Sequence, residues 1–85
     1  MTVQPTSIEA YHSIKDTLSK SQADVLEALI RLGPSTNRYL SKCIGKEINT
    51  VTPRIKELRD RKLVKQTGTT IDITGRRAIV WAAIV

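Results

Sequence analysis

Apolar residues recur at spacings of three and four through most of this chain and change to alternation near its end. The clearest run is Ile48, Val51, Ile55 and Leu58. At 100° per residue these four build one stripe on a helix. Asn49, Pro53, Lys56 and Asp60 fall opposite it, with Thr50, Thr52, Arg54 and Glu57 on the flanks. Upstream, Tyr39, Leu40, Cys43 and Ile44 predict the inward side of a shorter helix, and Gly45 the tight turn between the two. Val25, Leu26, Leu29, Ile30 and Leu32 predict a broad core stripe, and Ile8, Tyr11, Ile14 and Leu18 the apolar side of a first, short helix. After Leu63 the period becomes two. Leu63-Val64-Lys65-Gln66-Thr67 and Ala78-Ile79-Val80-Trp81-Ala82 predict two half-buried strands. The GTTIDITGRR segment between them predicts a polar, basic-tipped loop, with Ile71 and Ile73 placed to extend the ladder.

Local signals fix the boundaries. Thr6 to Glu9 is a T-x-x-E capping box, and Ser19 to Gln22 an S-x-x-Q one. Gly33 is placed as the residue that closes the core helix, and Pro34 blocks its continuation. Ser35 or Thr36 caps the next helix. Pro53 is costly deep inside a helix but tolerable in its opening turn, so the following helix is predicted to start near Ile48 or Asn49, with Asn49 as N-cap. Its basic last turn, Arg59, Arg61 and Lys62, suits the negative end of the helix dipole. The class predicted is α+β and mostly helical: a three-helix core, a C-terminal β-hairpin wing and a short N-terminal helix. Residues 1–17 form the tail and short helix, and residues 18–85 the domain.

Composition narrows the function. Eighty-five residues suit one domain with a small core. The core must come from Ile, Leu, Val and Ala, with Trp81 as the anchor of the strand pair. The net charge is +6, and it is unevenly placed. Residues 1–35 carry three Lys or Arg against four carboxylates, a net −1; residues 36–85 carry eleven against four, a net +7. A basic C-terminal portion favours a polyanionic partner. The single Cys43 excludes an internal disulfide and fits a small core residue in a reducing compartment. No apolar run reaches the roughly 20 residues of a membrane span. The opening residues lack the basic-then-apolar order of a secretory signal, so a cytoplasmic location is expected. His12 is the one histidine, no Gly-rich phosphate loop occurs, and no nucleophile–base pair or metal cluster is spaced for chemistry. The chain is therefore expected not to be an enzyme and to need no cofactor or metal. A helix with one core face and small polar or basic side chains opposite can instead enter a DNA major groove.

The order helix, helix, helix-turn-helix, hairpin resembles the winged-helix superfamily over residues 18–85, in particular MarR-like regulators and small phage-type DNA-binding proteins. The residues that carry the likeness are Leu18-Ser19-Lys20-Ser21-Gln22, Ile44-Gly45, Asn49-Thr50-Val51-Thr52-Pro53-Arg54-Ile55, the run from Leu58 to Leu63-Val64, and Thr74-Gly75-Arg76-Arg77 on to Trp81. The resemblance implies sequence-specific binding of double-stranded DNA by a transcriptional regulator of phage or prophage type. It places residues 49–56 in the major groove and the 68–77 wing on the backbone or in a minor groove. By residue, it implies that Thr36, Asn37 and Arg38 meet phosphates and that Asn49, Thr50, Thr52, Pro53 and Lys56 line the groove. Arg54 reaches a phosphate or base edge from the flank, and Arg76 and Arg77, with Lys65, seat the wing. Asn pairs with adenine, Lys and Arg with guanine, and a Thr methyl with thymine, so the side chains suit these roles. A narrower likeness, in Lys46-Glu47-Ile48-Asn49 and Trp81, is to domains that bind left-handed DNA; those carry Tyr where this chain has Pro53, and a Pro-rich wing. Winged helices also serve as protein-interaction modules, and Glu57, Asp60 and the apolar VWAAIV end are the features that favour that alternative. A homodimer would use the N-terminal helix or the C-terminal strand.

Overall fold

The structure is a computed structural model that describes residues 11–72 and 74–84. The capping box at Thr6, the apolar position Ile8 and the strand position Ile73 lie outside the described residues. Residues 11–14 are helical and run into a 3-10 turn at Lys15–Thr17. Helix α1 (Lys20–Leu32) then begins as its sequence requires. Ser19 Oγ accepts the Gln22 N–H at 3.2 Å, and the Gln22 side chain accepts the Ser19 N–H at 3.0 Å. Both halves of the capping box form. Gly33 closes the helix at φ +82°, a conformation that L side chains rarely adopt.

Strand β1 (Ser35–Thr36) and helix α2 (Asn37–Ile44) follow. Thr36 Oγ1 caps α2 by accepting the Tyr39 N–H at 3.1 Å, and Gly45 ends it in the left-handed region at φ +70°. Helix α3 (Ile48–Asp60) starts one residue before its predicted cap. Glu47 is the N-cap; its carbonyl accepts the Thr50 and Val51 N–H groups at 2.9 and 3.1 Å. Asn49 is thereby the second helical residue, not the cap. Pro53 is the sixth, beyond the opening turn where it was expected. An interior proline costs a helix about 3 kcal/mol, yet α3 runs unbroken through it. The stripe on the other side supplies the compensation, since Val51, Ile55 and Leu58 are fully buried. Complete burial of one such side chain contributes roughly 1.5–3 kcal/mol.

The α3 exit is a Schellman turn: Lys62 N–H donates to the Arg59 carbonyl and Leu63 N–H to the Leu58 carbonyl, both at 2.9 Å. Lys62 occupies the left-handed position at φ +63°, where glycine is usual. Strands β2 (Val64–Ile71) and β3 (Arg77–Ala83) then form the hairpin, longer than the two five-residue segments predicted. The sheet is antiparallel in the order β1-β3-β2, with Ser35 opposite Trp81 and Gln66 opposite Trp81 on the other side. A bulge at Thr67 lets Gly68 face Val80. The prediction was of two strands. The third has two residues, too few to show a period, and exists because the chain must pass β3 between Pro34 and α2.

The core joins Val25, Leu26, Leu29, Leu40, Val51, Ile55, Leu58 and Val64, with Tyr11 and Trp81 at its edges. Three predicted core residues are exposed instead: Leu32, Tyr39 and Cys43. Helix α2 touches the core along one row, Leu40 and Ile44; the Tyr39–Cys43 row lies 100° round and faces outward. Leu32 is the last residue of α1 and overhangs the turn. The segment before α1 is held at two points. Tyr11 is buried, with its hydroxyl 3.4 Å from the Ala23 carbonyl and from Glu27 Oε1, and Arg61 donates to the Thr17 carbonyl and Oγ1 at 2.9 Å each.

Candidate nucleic-acid interface

The buried stripe of α3 turns its other side outward. Asn49, Pro53, Lys56 and Asp60 are exposed, as the helical spacing requires. The two flanks have different neighbours. On one, Thr52, Lys56 and Arg59 face β3 and the wing tip across an open groove of about 600 Å³. Ile55, Ile79 and Trp81 contribute to its apolar wall, and Arg38, Lys56, Arg59 and Arg77 are its four cations. Asp72 is its one carboxylate. Asn37 enters the same groove, with its amide Nδ2 donating to Thr52 Oγ1 at 3.3 Å.

The other flank is closed against α1. Arg54 Nη2 lies 2.8 Å from Glu57 Oε2, and Gln22 Nε2 donates to Glu57 Oε1 at 2.8 Å. The bond from Gln22, then that from Arg54, holds the Glu57 carboxyl below its ordinary 4.5. Arg54 Nε is buried without a hydrogen-bond partner. Gln22 belongs at once to the α1 capping box and to this contact, so the start of α1 sets the position of the Arg54–Glu57 pair.

The wing tip is organised by Asp72. Its Oδ1 accepts the Thr74 N–H at 2.8 Å, the Thr74 hydroxyl, and the Arg76 N–H at 3.3 Å. Gly75 takes φ +81° and donates to the Asp72 carbonyl at 3.0 Å. Asp72 Oδ2 then pairs with Arg38 Nε at 3.4 Å, which ties the tip to α2. Hydrogen bonds from Thr74, and after them the Arg76 amide and the Arg38 charge, hold this carboxyl below its ordinary 3.8.

Of the residues expected to form the site, Asn37, Arg38, Thr52, Lys56 and Arg77 meet in the groove. Asn49 and Pro53 lie on the outermost line of α3, and Thr50 and Arg54 on the closed flank. Thr36 caps α2, and its hydroxyl oxygen is already engaged. Arg76 is exposed at the tip. Lys65 sits at the base of the hairpin opposite Ala82, about 20 Å along β2 from Ile71. Sequence reasoning did not place Arg59 in the site; its position in the last turn of α3 suggested a charge that balances the dipole. The signal was nevertheless present. Thr52, Lys56 and Arg59, at spacings of four and three, form a polar row beside the core stripe.

The same arrangement of elements occurs in solved structures of transcription regulators. A possible transcriptional regulator from Methanosarcina mazei Go1 aligns with a TM-score of 0.69 at 15% identity, over 92% of this chain and 66% of that one. A zinc-responsive MarR family member from Lactococcus lactis, ZitR, aligns with a TM-score of 0.62 at 24% identity, over 78% of this chain and 43% of that one. A probable transcriptional regulator from Pseudomonas aeruginosa aligns with a TM-score of 0.58 at 22% identity, over 93% and 62%. The chain spans less than two thirds of the length of each. At these identities the likeness is one of fold: a winged helix-turn-helix, as the resemblance in the sequence implied. No protein-family model and no curated protein matches the sequence.

Proposed function

We propose that this chain is a sequence-specific double-stranded DNA-binding protein and a transcriptional regulator of phage or prophage type. Residues 18–85 are the binding unit. Residues 49–56 enter the major groove, where Asn49, Thr50, Thr52, Pro53 and Lys56 meet base edges. Thr36, Asn37 and Arg38 meet phosphates at the start of α2. Arg76 and Arg77 set the 68–77 wing on the backbone or in a minor groove, with Lys65 at its base. Arg54 joins the contact set by exchanging Glu57 for a phosphate. Arg59 is added to it. The observation that carries the proposal is the open flank of α3, where Arg38, Lys56, Arg59 and Arg77 surround one groove beside the exposed face of Asn49, Pro53, Lys56 and Asp60. A concave surface with four cations and one carboxylate attracts a polyanion, and the exposed helix supplies donors and acceptors at groove depth.

The test is an anisotropy titration of the full chain against a pool of random duplexes at two salt concentrations, followed by sequencing of the retained DNA. Enrichment of one motif, with affinity falling steeply as salt rises, is the expected result. A palindromic motif would add a homodimer, through the N-terminal helix or the C-terminal strand. Absence of binding at low salt would overturn the proposal and favour a protein partner. In the described residues, no helix is long and apolar enough to cross a membrane.

A further inference from the structure

We propose that Glu57 and Gln22 are positioning residues for Arg54. The Glu57 carboxylate stands in for a DNA phosphate in the free protein, and Gln22, by occupying one of its two oxygens, keeps that hold single and exchangeable. The inference rests on the duplex-binding function proposed above and identifies what sets the strength of one of its contacts.

The carboxylate is divided between donors from two helices. Its Oε2 lies 2.8 Å from Arg54 Nη2, and its Oε1 accepts from Gln22 Nε2, also at 2.8 Å. A carboxylate with both oxygens free takes a guanidinium through two parallel bonds. Here one oxygen belongs to Gln22, so Arg54 is held at one end only. Its Nε is buried without a hydrogen-bond partner, and among the described residues Glu57 is its one ionic partner. The Gln22 amide is itself fixed, because its Oε1 accepts the Ser19 N–H at 3.0 Å in the α1 capping box. The pair is not sealed from outside: 28% of the Arg54 side chain and 42% of that of Glu57 are exposed.

A phosphate offers Arg54 the second oxygen that Gln22 withholds, so the exchange replaces a single bond with a fork. Two consequences of opposite sign follow. Removal of the Glu57 charge releases Arg54 to the duplex and strengthens binding. Removal of the Gln22 amide frees Oε1, lets Glu57 grip Arg54 with both oxygens, and withdraws Arg54 from the duplex. A pair that only steadies α3 would move the melting temperature and leave affinity alone. A Glu57 that acts only as a negative charge near a polyanion would weaken binding whether or not Arg54 is present.

The test titrates the selected duplex with the full chain as wild type, Glu57→Gln and Gln22→Met, each with and without Arg54→Gln. Circular dichroism checks that every variant is folded, and the titrations run well below the melting temperature, since Gln22→Met also gives up the acceptor for the Ser19 N–H. Glu57→Gln should raise affinity about fivefold with Arg54 present and less than about twofold with Arg54→Gln. Gln22→Met should lower affinity to the level of Arg54→Gln, and the two changes together should lower it no further. A Glu57→Gln gain that is absent, or of the same size in both backgrounds, would overturn the inference while leaving duplex reading intact. So would a Gln22→Met chain that binds as tightly as the wild type. A wild type that selects no duplex would remove the proposed function and this inference together.

Discussion

The two flanks of α3 each carry a threonine and a long cation, and they differ in what surrounds them. One offers Thr52, Lys56 and Arg59, the other Thr50, Arg54 and Glu57. On a helical wheel each presents a threonine and a long cation at the border of the same core stripe. In the fold, the first flank faces an open groove toward the wing, and the second meets α1. Arg54 lies three residues from Glu57, and Gln22 holds that carboxylate in place. Among the described residues Lys56 and Arg77 make no ion pair, and the Arg59–Asp60 pair at 3.3 Å is exposed on both sides. An exposed pair of that kind contributes little. The cationic character of a side chain thus says less about its availability than the nearest carboxylate does.

The largest expected effect comes from reversing the open flank. Lys56→Glu combined with Arg59→Glu should lower duplex affinity by about 100-fold or more and reduce the slope of log affinity against log salt by about 2. Arg54→Gln, on the closed flank, should change affinity by less than about threefold. Titration of both variants at several salt concentrations provides the comparison. A small loss fits an Arg54 that exchanges its Glu57 bond for a phosphate at little net gain; an Arg54→Gln loss as large as that of the double reversal would make the flanks equivalent in the complex.

The sequence carried the helices well because their signals are local. Ser19 with Gln22, Thr36, Gly33 and Gly45 act within one turn of the chain, and each does in the fold what its residue type dictates. The core row Ile48, Val51, Ile55 and Leu58 followed from spacing alone. What spacing could not supply was the identity of neighbours. Tyr39 and Cys43 share the helical spacing of a core row, but α2 is covered on one side only. The α3 cap fell on Glu47 and not on Asn49 because Glu47 supplies the N-cap carbonyl without help from its side chain. Arg59 looked like a dipole charge because the wing that faces it is long-range in sequence. Asp72 carries no local signal of its role, since its partner Arg38 lies 34 positions earlier.

Wing placement depends on that partner. Asp72→Ala removes the acceptor for Thr74 and Arg76 and the pair with Arg38. Loss of a negative charge beside a polyanion should by itself strengthen binding. A fall of about tenfold in duplex affinity is expected instead, because the tip cations lose their fixed position. Asp72→Asn keeps a side-chain oxygen for the turn and should fall between the wild type and Asp72→Ala. An affinity gain in Asp72→Ala would show that the tip needs no anchor and that the groove behaves as a simple basic patch.

Acid separates the closed flank from the wing in the free protein. Both carboxylates titrate below their ordinary values of 4.5 for Glu57 and 3.8 for Asp72. A depressed native value means that the unfolded chain binds protons first as pH falls. The stability each contributes is complete above its ordinary value and is lost as pH drops through the lowered one. Melting temperatures measured from about pH 6 to about pH 2 should therefore fall, less steeply in Glu57→Gln and in Asp72→Asn than in the wild type. The Glu57→Gln difference should emerge at the higher pH, since its ordinary value is the higher. Identical acid limbs in all three proteins would remove both carboxylates from the account of stability.

The smallest effect concerns the point where α3 leaves both flanks. Lys62 closes the helix in the left-handed region at φ +63°, with its N–H on the Arg59 carbonyl. That conformation costs an L residue about 1–2 kcal/mol, and glycine avoids the cost while adding freedom to the unfolded chain. Lys62→Gly should therefore stabilise the fold by about 0.5–1 kcal/mol, seen as a rise of a few degrees in the melting temperature. Its charge lies beyond the open groove, so duplex affinity should stay within about twofold. A stabilised variant that loses tenfold or more in affinity would place the basic end of α3 in the binding surface. The strained lysine would then be kept for the charge it presents, and the open flank would extend from the wing to the Schellman turn.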